Sequence, residues 1–290
     1  MNMKQISKAV VALALVTGAV GSASALSLTA GDLKFTLNNY DSGTVGYGVT
    51  PGLVCSTIAS CDTKATTPAV NSYGDDTWGI FSVTNITKIS TGTTIWSAGP
   101  GDYLTGLFGG LKDYAVGVSP VDPFTGLQNT NTFSQGGWVN LYSNATDWNP
   151  ALGPGGRTGI QTYTGITSGS LVLGAKFSPA VNATPFGAAG SYQSTFDSTS
   201  FAGHGQGFLD VTAGSWLAQL DTNTLSDPLG GKHDLFLSTN YDDVNGAASA
   251  LGWTVKSSSQ VSGNAIPEPA SLGLLGLGLA GLASIRRRRK

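Results

Sequence analysis

Charge is scarce in this chain. Charged residues make up 11% of its 290 positions, and glutamate occurs only once, at Glu268. Helix surfaces draw on Glu, Lys, Arg and Ala, and a sequence so poor in the first three cannot clothe many helices. Cysteine is limited to Cys55 and Cys61, which excludes a disulfide-dense scaffold and a four-thiolate zinc site. The histidines are His204 and His233, too few for a histidine-rich metal centre. Motifs of familiar chemistry are missing as well. The chain has no Gly-x-Ser-x-Gly elbow, no His-Glu-x-x-His and no phosphate-loop lysine. No apolar run reaches the roughly 20 residues that a stable bilayer-crossing helix needs.

What is present is Gly, Ser, Thr, Asn and Asp, with apolar residues in short alternating groups. Leu33–Leu37 alternates cleanly, and Trp78–Ile86 reads as a central strand. Tyr103–Phe108 and Tyr114–Val118 flank Gly109-Gly110 and read as a hairpin. Trp138–Tyr142, Leu171–Phe177, Gly207–Thr212, Leu235–Ser238 and Trp253–Lys256 complete nine or ten strands. Turn clusters such as Asn149-Pro150, Gly153–Gly156 and Asp227-Pro228 separate them. The expected fold is all-β, a single jelly-roll-like β-sandwich over residues 26–256, with Ser257–Ala265 as a flexible spacer behind it.

The two ends carry targeting signals. Lys4 and Lys8 precede the apolar Ala9–Val20, and Ala23-Ser24-Ala25 offers a small-x-small cleavage site, so residues 1–25 read as a secretory signal peptide. At the other end, Pro267-Glu268-Pro269 leads into the uncharged run Leu272–Ile285 and then Arg286, Arg287, Arg288, Arg289 and Lys290. The run is short for a permanent anchor. The cations behind it would hold that end on the cytoplasmic side. The two signals hold seven of the 15 cations and one of the 17 acidic groups, so the domain between them has net charge −8. Such a domain is a poor partner for nucleic acid.

Residues 266–290 resemble the PEP-CTERM sorting element of exported Gram-negative proteins, a tail also labelled as an ice-binding protein C-terminal domain. The resemblance rests on the Pro-Glu-Pro motif, the Leu/Gly/Ala run and the Arg cluster in that order. It implies recognition by an exosortase, transient passage through the inner membrane and release to the cell surface or outside, among polysaccharide, biofilm or floc. It implies nothing about ice. A looser resemblance, over Gly207–Trp253, implies a β-sandwich shared with other such proteins and carries no activity.

Candidate chemistry inside the domain is sparse. In an oxidising compartment Cys55 and Cys61 are expected to form one small disulfide. Asp75-Asp76, Asp242-Asp243, and Asp221-x-Asn223 with Asp227 are oxygen-rich groups suited to Ca²⁺, with Asp242 and Asp243 the preferred pair; no other cofactor is expected. Such groups also occur as plain turns. Trp148, in a polar loop, is the best candidate for stacking on a sugar ring, and packing in the core is the ordinary alternative. His233-Asp234 could join a serine in a triad, but serines are so common here that the coincidence means little. The expectation is a non-enzymatic structural or adhesive protein in contact with extracellular polysaccharide; the alternative is a secreted carbohydrate-active enzyme or carbohydrate-binding module.

Overall fold

The computed structural model describes residues 28–43, 52–62, 70–182, 189–197, 202–243 and 247–267. The expected signal peptide, Glu268, Pro269, the apolar run and the Arg286–Lys290 cluster lie outside them, as do the side chains of Asp242 and Asp243.

Eleven strands form the main sheet: β1 (Gly31–Gly43), β2 (Gly52–Cys55), β3 (Thr77–Lys88), β4 (Thr93–Ser97), β5 (Tyr103–Val118), β6 (Asn129–Asn144), β7 (Ser170–Ser178), β8 (Tyr192–Asp197), β9 (Gly203–Ala213), β10 (Leu235–Asp243) and β11 (Val255–Ala265). The sheet closes. Going round, β1 pairs with β3, β3 with β5, β5 with β6, β6 with β7, β7 with β9, β9 with β10, β10 with β11, and β11 with β1. Every pairing is antiparallel, so this is an eight-stranded up-and-down barrel. The short β8 lies end to end with β7 between β6 and β9, and β2 and β4 extend single strands at opposite ends. Among the described residues three short α-helices, α1 (Ile58–Asp62), α2 (Leu217–Leu220) and α3 (Ala247–Ala250), sit in connections.

Closure overturns the sandwich expectation. Alternation says that one face of each strand is buried; it is the same whether that face meets a second sheet or curls onto itself. The decisive contact is the long β5–β6 ladder, from Tyr103 opposite Asn144 to Val118 opposite Thr130. It also corrects the hairpin expected at Gly109-Gly110. Gly110, at φ +74°, lies opposite Gly137, at φ +99°, and both are kinks within continuous strands. A Cβ on Gly110 would stand 2.8 Å from the Trp138 ring. Coiling at such glycines lets a long pair curve into a barrel wall. Ser257–Ala265 is likewise no spacer. It lies in β11, paired on both sides, with Ser257, Ser259, Val261 and Gly263 turned inward. Its serine-rich composition imitates a linker, while its period of two is that of a strand.

The core has two parts. Inside the barrel, Leu33, Phe35, Leu37, Val83, Leu141, Leu209 and Leu235 pack toward one end, where Trp216 and Leu220 of the α2 turn close it. Outside, Tyr40, Trp78, Ile80 and Leu107 form a second cluster on the wall, covered by Tyr163, Ile166 and Trp253. Arg157 fastens this covering. Its guanidinium binds both carboxylate oxygens of Asp75, at 3.0 and 2.8 Å, and lies 4.6 Å over the Trp78 ring.

Candidate functional site

The inward side chains change character halfway along the barrel. On β1 the row runs Leu33, Phe35, Leu37, then Asn39 and Asp41. On β11 it runs Gly263, Val261, then Ser259 and Ser257. On β10, Leu235 and Leu237 give way to Thr239 and Tyr241. On β6, Leu141 and Val139 are followed by Ser134, Thr132 and Thr130. These rows enclose a cavity of about 250 Å³. Phe108, Val139, Leu237 and Val261 point into the barrel yet are only partly buried, as expected of walls facing unfilled space. An eight-stranded barrel is at the size where the interior is either filled by side chains or holds one small ligand.

The polar half is a hydrogen-bonded network. Asn39 donates to Asp41 Oδ1 at 2.8 Å, and Ser257 donates to Asp41 Oδ2 at 3.2 Å. Ser259 donates to Asn39 Oδ1 at 2.9 Å and stands 3.0 Å from Thr239 Oγ1. The Tyr192 and Tyr241 hydroxyls meet at 2.6 Å. Glycine makes room for them: a Cβ on Gly205 would stand 2.6 Å from the Tyr241 hydroxyl. Burial pushes the Asp41 carboxyl up to about 7, against the pull of its bonds to Asn39 and Ser257. Asp113 also faces the cavity and accepts from Ser134 at 2.7 Å. Burial, with Asp76 and Asp62 nearby, pushes it up to about 7 despite that bond. Burial raises Asp76 to about 6, although its carboxylate accepts the Asp113 backbone N–H at 2.7 Å.

The residues singled out in the sequence lie elsewhere. Cys55 and Cys61 are joined as a disulfide, with Cα atoms 5.1 Å apart, tying β2 to α1. Trp148 is half-buried on the outer wall, its ring centroid 5.4 Å from that of Tyr40. Asp75 is occupied by Arg157 and Asp76 by the Asp113 N–H, so neither is a bare turn carboxylate. Among the described residues no group of three or more His, Cys, Asp or Glu side chains is arranged to hold a metal ion. Asp221 accepts from Asn223 at 3.1 Å, and Asp227 accepts the backbone N–H groups of Leu229 and Gly231.

His233 does not assemble a triad with Asp234. Its Nδ1 lies 2.9 Å from Asp210 and its Nε2 2.9 Å from Asp227, so both ring nitrogens are engaged by carboxylates. Burial works against charge on this ring, but the two carboxylates outweigh it and raise its pKa. Asp234 is committed to the backbone, accepting from Val211, Thr222 and Asn223. The cavity network was missed in the sequence. Its signal was the continuation of the β1 alternation past Leu37 into Asn39 and Asp41.

The described residues that flank the first and last barrel strands lie at its closed end. Leu28 is buried there, and Ile266 donates its N–H to the Gln219 carbonyl beside α2 at 2.9 Å. Pro267 follows, exposed. A family model for the PEP-CTERM protein-sorting motif matches residues 265–289, so the motif starts on the last residue of the last barrel strand. It marks an exported surface protein that is targeted to an exosortase and transits the membrane. No curated protein and no solved structure matches the chain. Among the described residues no helix is long and apolar enough to cross a membrane.

Proposed function

We propose that this exported barrel is a non-enzymatic structural or adhesive protein of the cell surface or extracellular matrix, in contact with the polysaccharide around the cell. One observation carries the reading. The wall formed by β8, β9, β10, β11, β1 and β3 presents two polar rows in continuous register. The first is Gln193, Gln206, Ser238, Gln260, Thr36 and Asn85. The second, extended onto β6, is Asn131, Thr195, His204, Asn240, Ser258 and Asn38. Neither row contains a carboxylate, Lys or Arg. Amides and hydroxyls both donate and accept, which suits the hydroxyl groups of a sugar chain. Neighbouring strands stand roughly 4.8 Å apart, so six strands offer an extended face to a polymer.

The tail leaves from the closed end, so a barrel held by its tail would keep this wall and the polar end clear of the membrane. Removal of the tail would free it into the matrix.

The test is binding of the purified mature protein to the matrix polysaccharide of its own host, with and without Ca²⁺, because Asp242 and Asp243 remain the preferred calcium pair. Gln206→Glu with Gln260→Glu places two charges in the first row and should abolish retention. Failure of the wild type to bind, or undiminished binding by the double variant, would sink the adhesive reading. Intact mass of the protein from the host medium should lack residues 1–25 and everything after the Pro-Glu-Pro region. Trp148→Ala reports separately on the stacking role expected for that ring.

A further inference from the structure

Beyond the outer wall, we infer that the barrel interior is a binding site for one small cationic amphiphile, its apolar body among Phe35, Leu141 and Leu237 and its amine head in the polar half, which Asp41 and Asp113 line. The inference goes beyond the surface reading and does not depend on it.

The cavity has room for such a guest. An apolar cavity of about 150 Å³ suffices for benzene, so 250 Å³ takes a molecule of roughly ten heavy atoms. Its shape of chemistry is set by the strands. The deep half is hydrocarbon and is sealed by Trp216 and Leu220. The other half is lined by hydroxyls, Asn39 and two carboxyls, and its outermost members Gly43, Thr77, Phe196, Tyr241 and Thr254 retain exposure. A guest would therefore enter with its tail leading and leave its polar head at the carboxyls.

Charge selects among amphiphiles. The cavity wall includes Asp41 and Asp113 but no Lys, Arg or His. Neither carboxyl has an ion-pair partner among the described residues. Their neighbours are hydroxyl, amide and acid groups. Ser257, Asn39 and the Tyr192–Tyr241 pair surround Asp41, while Ser134, Asp76 and Asp62 surround Asp113. A buried carboxyl without a cation stays protonated or pays desolvation, and a cationic head would remove that penalty. A carboxylate head would meet two acids and no cation, and is rejected. A neutral alcohol could bond to the hydroxyls but would leave the acids uncompensated.

The test is calorimetric titration of the mature protein with octylamine, octanol and octanoate at pH 8.5 and 5.5, in buffer containing 0.3 M salt to suppress adsorption to the acidic exterior. An alkyl amine resembles the lysine head and is cationic at both values. Octylamine should bind at least tenfold more tightly than octanol at pH 8.5, and octanoate should give no binding. Octylamine should weaken about tenfold or more at pH 5.5, where the free protein keeps both acids protonated. Asp41→Asn with Asp113→Asn should bring octylamine down to the level of octanol while leaving octanol unchanged. Leu237→Trp, which fills the apolar half, should abolish both. Equal binding of amine and alcohol, preference for octanoate, no binding at all, or amine binding that survives Leu237→Trp would each overturn the inference. Near-ultraviolet circular dichroism establishes that each variant is folded, and Val261→Phe replaces Leu237→Trp if that variant is not.

Discussion

The two ends of the barrel are built by the same strands with the same alternation, and they differ in what the alternation delivers. At the closed end the inward residues are Leu33, Phe35, Leu209 and Leu235, sealed by Trp216 and Leu220. At the polar end the same strands turn Asn39, Asp41, Thr239, Tyr241, Ser257 and Ser259 inward. The closed end is a core in the ordinary sense, gaining from every apolar group it removes from water. The polar end gains little from burial and holds carboxyls that burial disfavours. A chain that needed only stability would continue the leucines. The division places stability at the end where the tail is attached and recognition at the end turned away from it.

The comparison breaks most easily at Trp216. Trp216→Ala opens a large cavity in the closed end and should cost about 3–5 kcal/mol, lowering Tm by roughly 10 °C or more. Ser259→Ala at the polar end removes the hydroxyl between Asn39 and Thr239 and should cost about 1 kcal/mol. Equal losses in urea unfolding would mean that the two ends share the load and that the division is false. The disulfide sharpens the same point. Replacing Cys55 and Cys61 together by Ala reopens a small loop beside the polar end, worth about 2 kcal/mol by loop-closure entropy. Unfolding should move accordingly, while octanol binding, which depends on barrel walls that the bridge does not form, should not.

The strands were largely legible in the sequence and their closure was not. Leu33–Leu37 and Trp78–Ile86 announced themselves by alternation, and both lie in barrel strands. Nothing in one strand's pattern says whether its last neighbour is its first, because that depends on coil accumulated at Gly110 and Gly137. The Cys55–Cys61 bridge was readable from spacing and compartment. The cavity was not, because Asn39 and Asp41 look like the polar end of a strand until β11 is known to bring Ser257 and Ser259 opposite them. Those serines were hidden by their own composition. The tail was readable because its three parts are linear, needing no folded partner to be recognised.

The smallest expected effect is the most specific to the polar end. Asp41 has a pKa raised from 3.8 to about 7 by burial, so the folded protein holds a proton that the unfolded chain releases. Its contribution to stability is fully present below pH 3.8 and is lost as pH rises through 7; Asp113 runs the same way over the same window. Tm should therefore fall between pH 5 and pH 8, by a few degrees. Asn cannot ionise yet fills nearly the same volume, so Asp41→Asn should leave stability at pH 5 essentially unchanged and raise it at pH 8 by about 1 kcal/mol, a few degrees in Tm, once water in the neighbouring cavity is allowed for. Adding Asp113→Asn should flatten the profile further. His233 cannot supply this trend in the variants, since it lies on the outer side of the wall with Asp210 and Asp227 and is unaltered in both. A profile of unchanged slope in the double variant would show that the interior carboxyls are not the groups holding these protons. The selection of a cationic guest would then lose its physical basis, because the penalty that such a guest relieves is the one this slope measures.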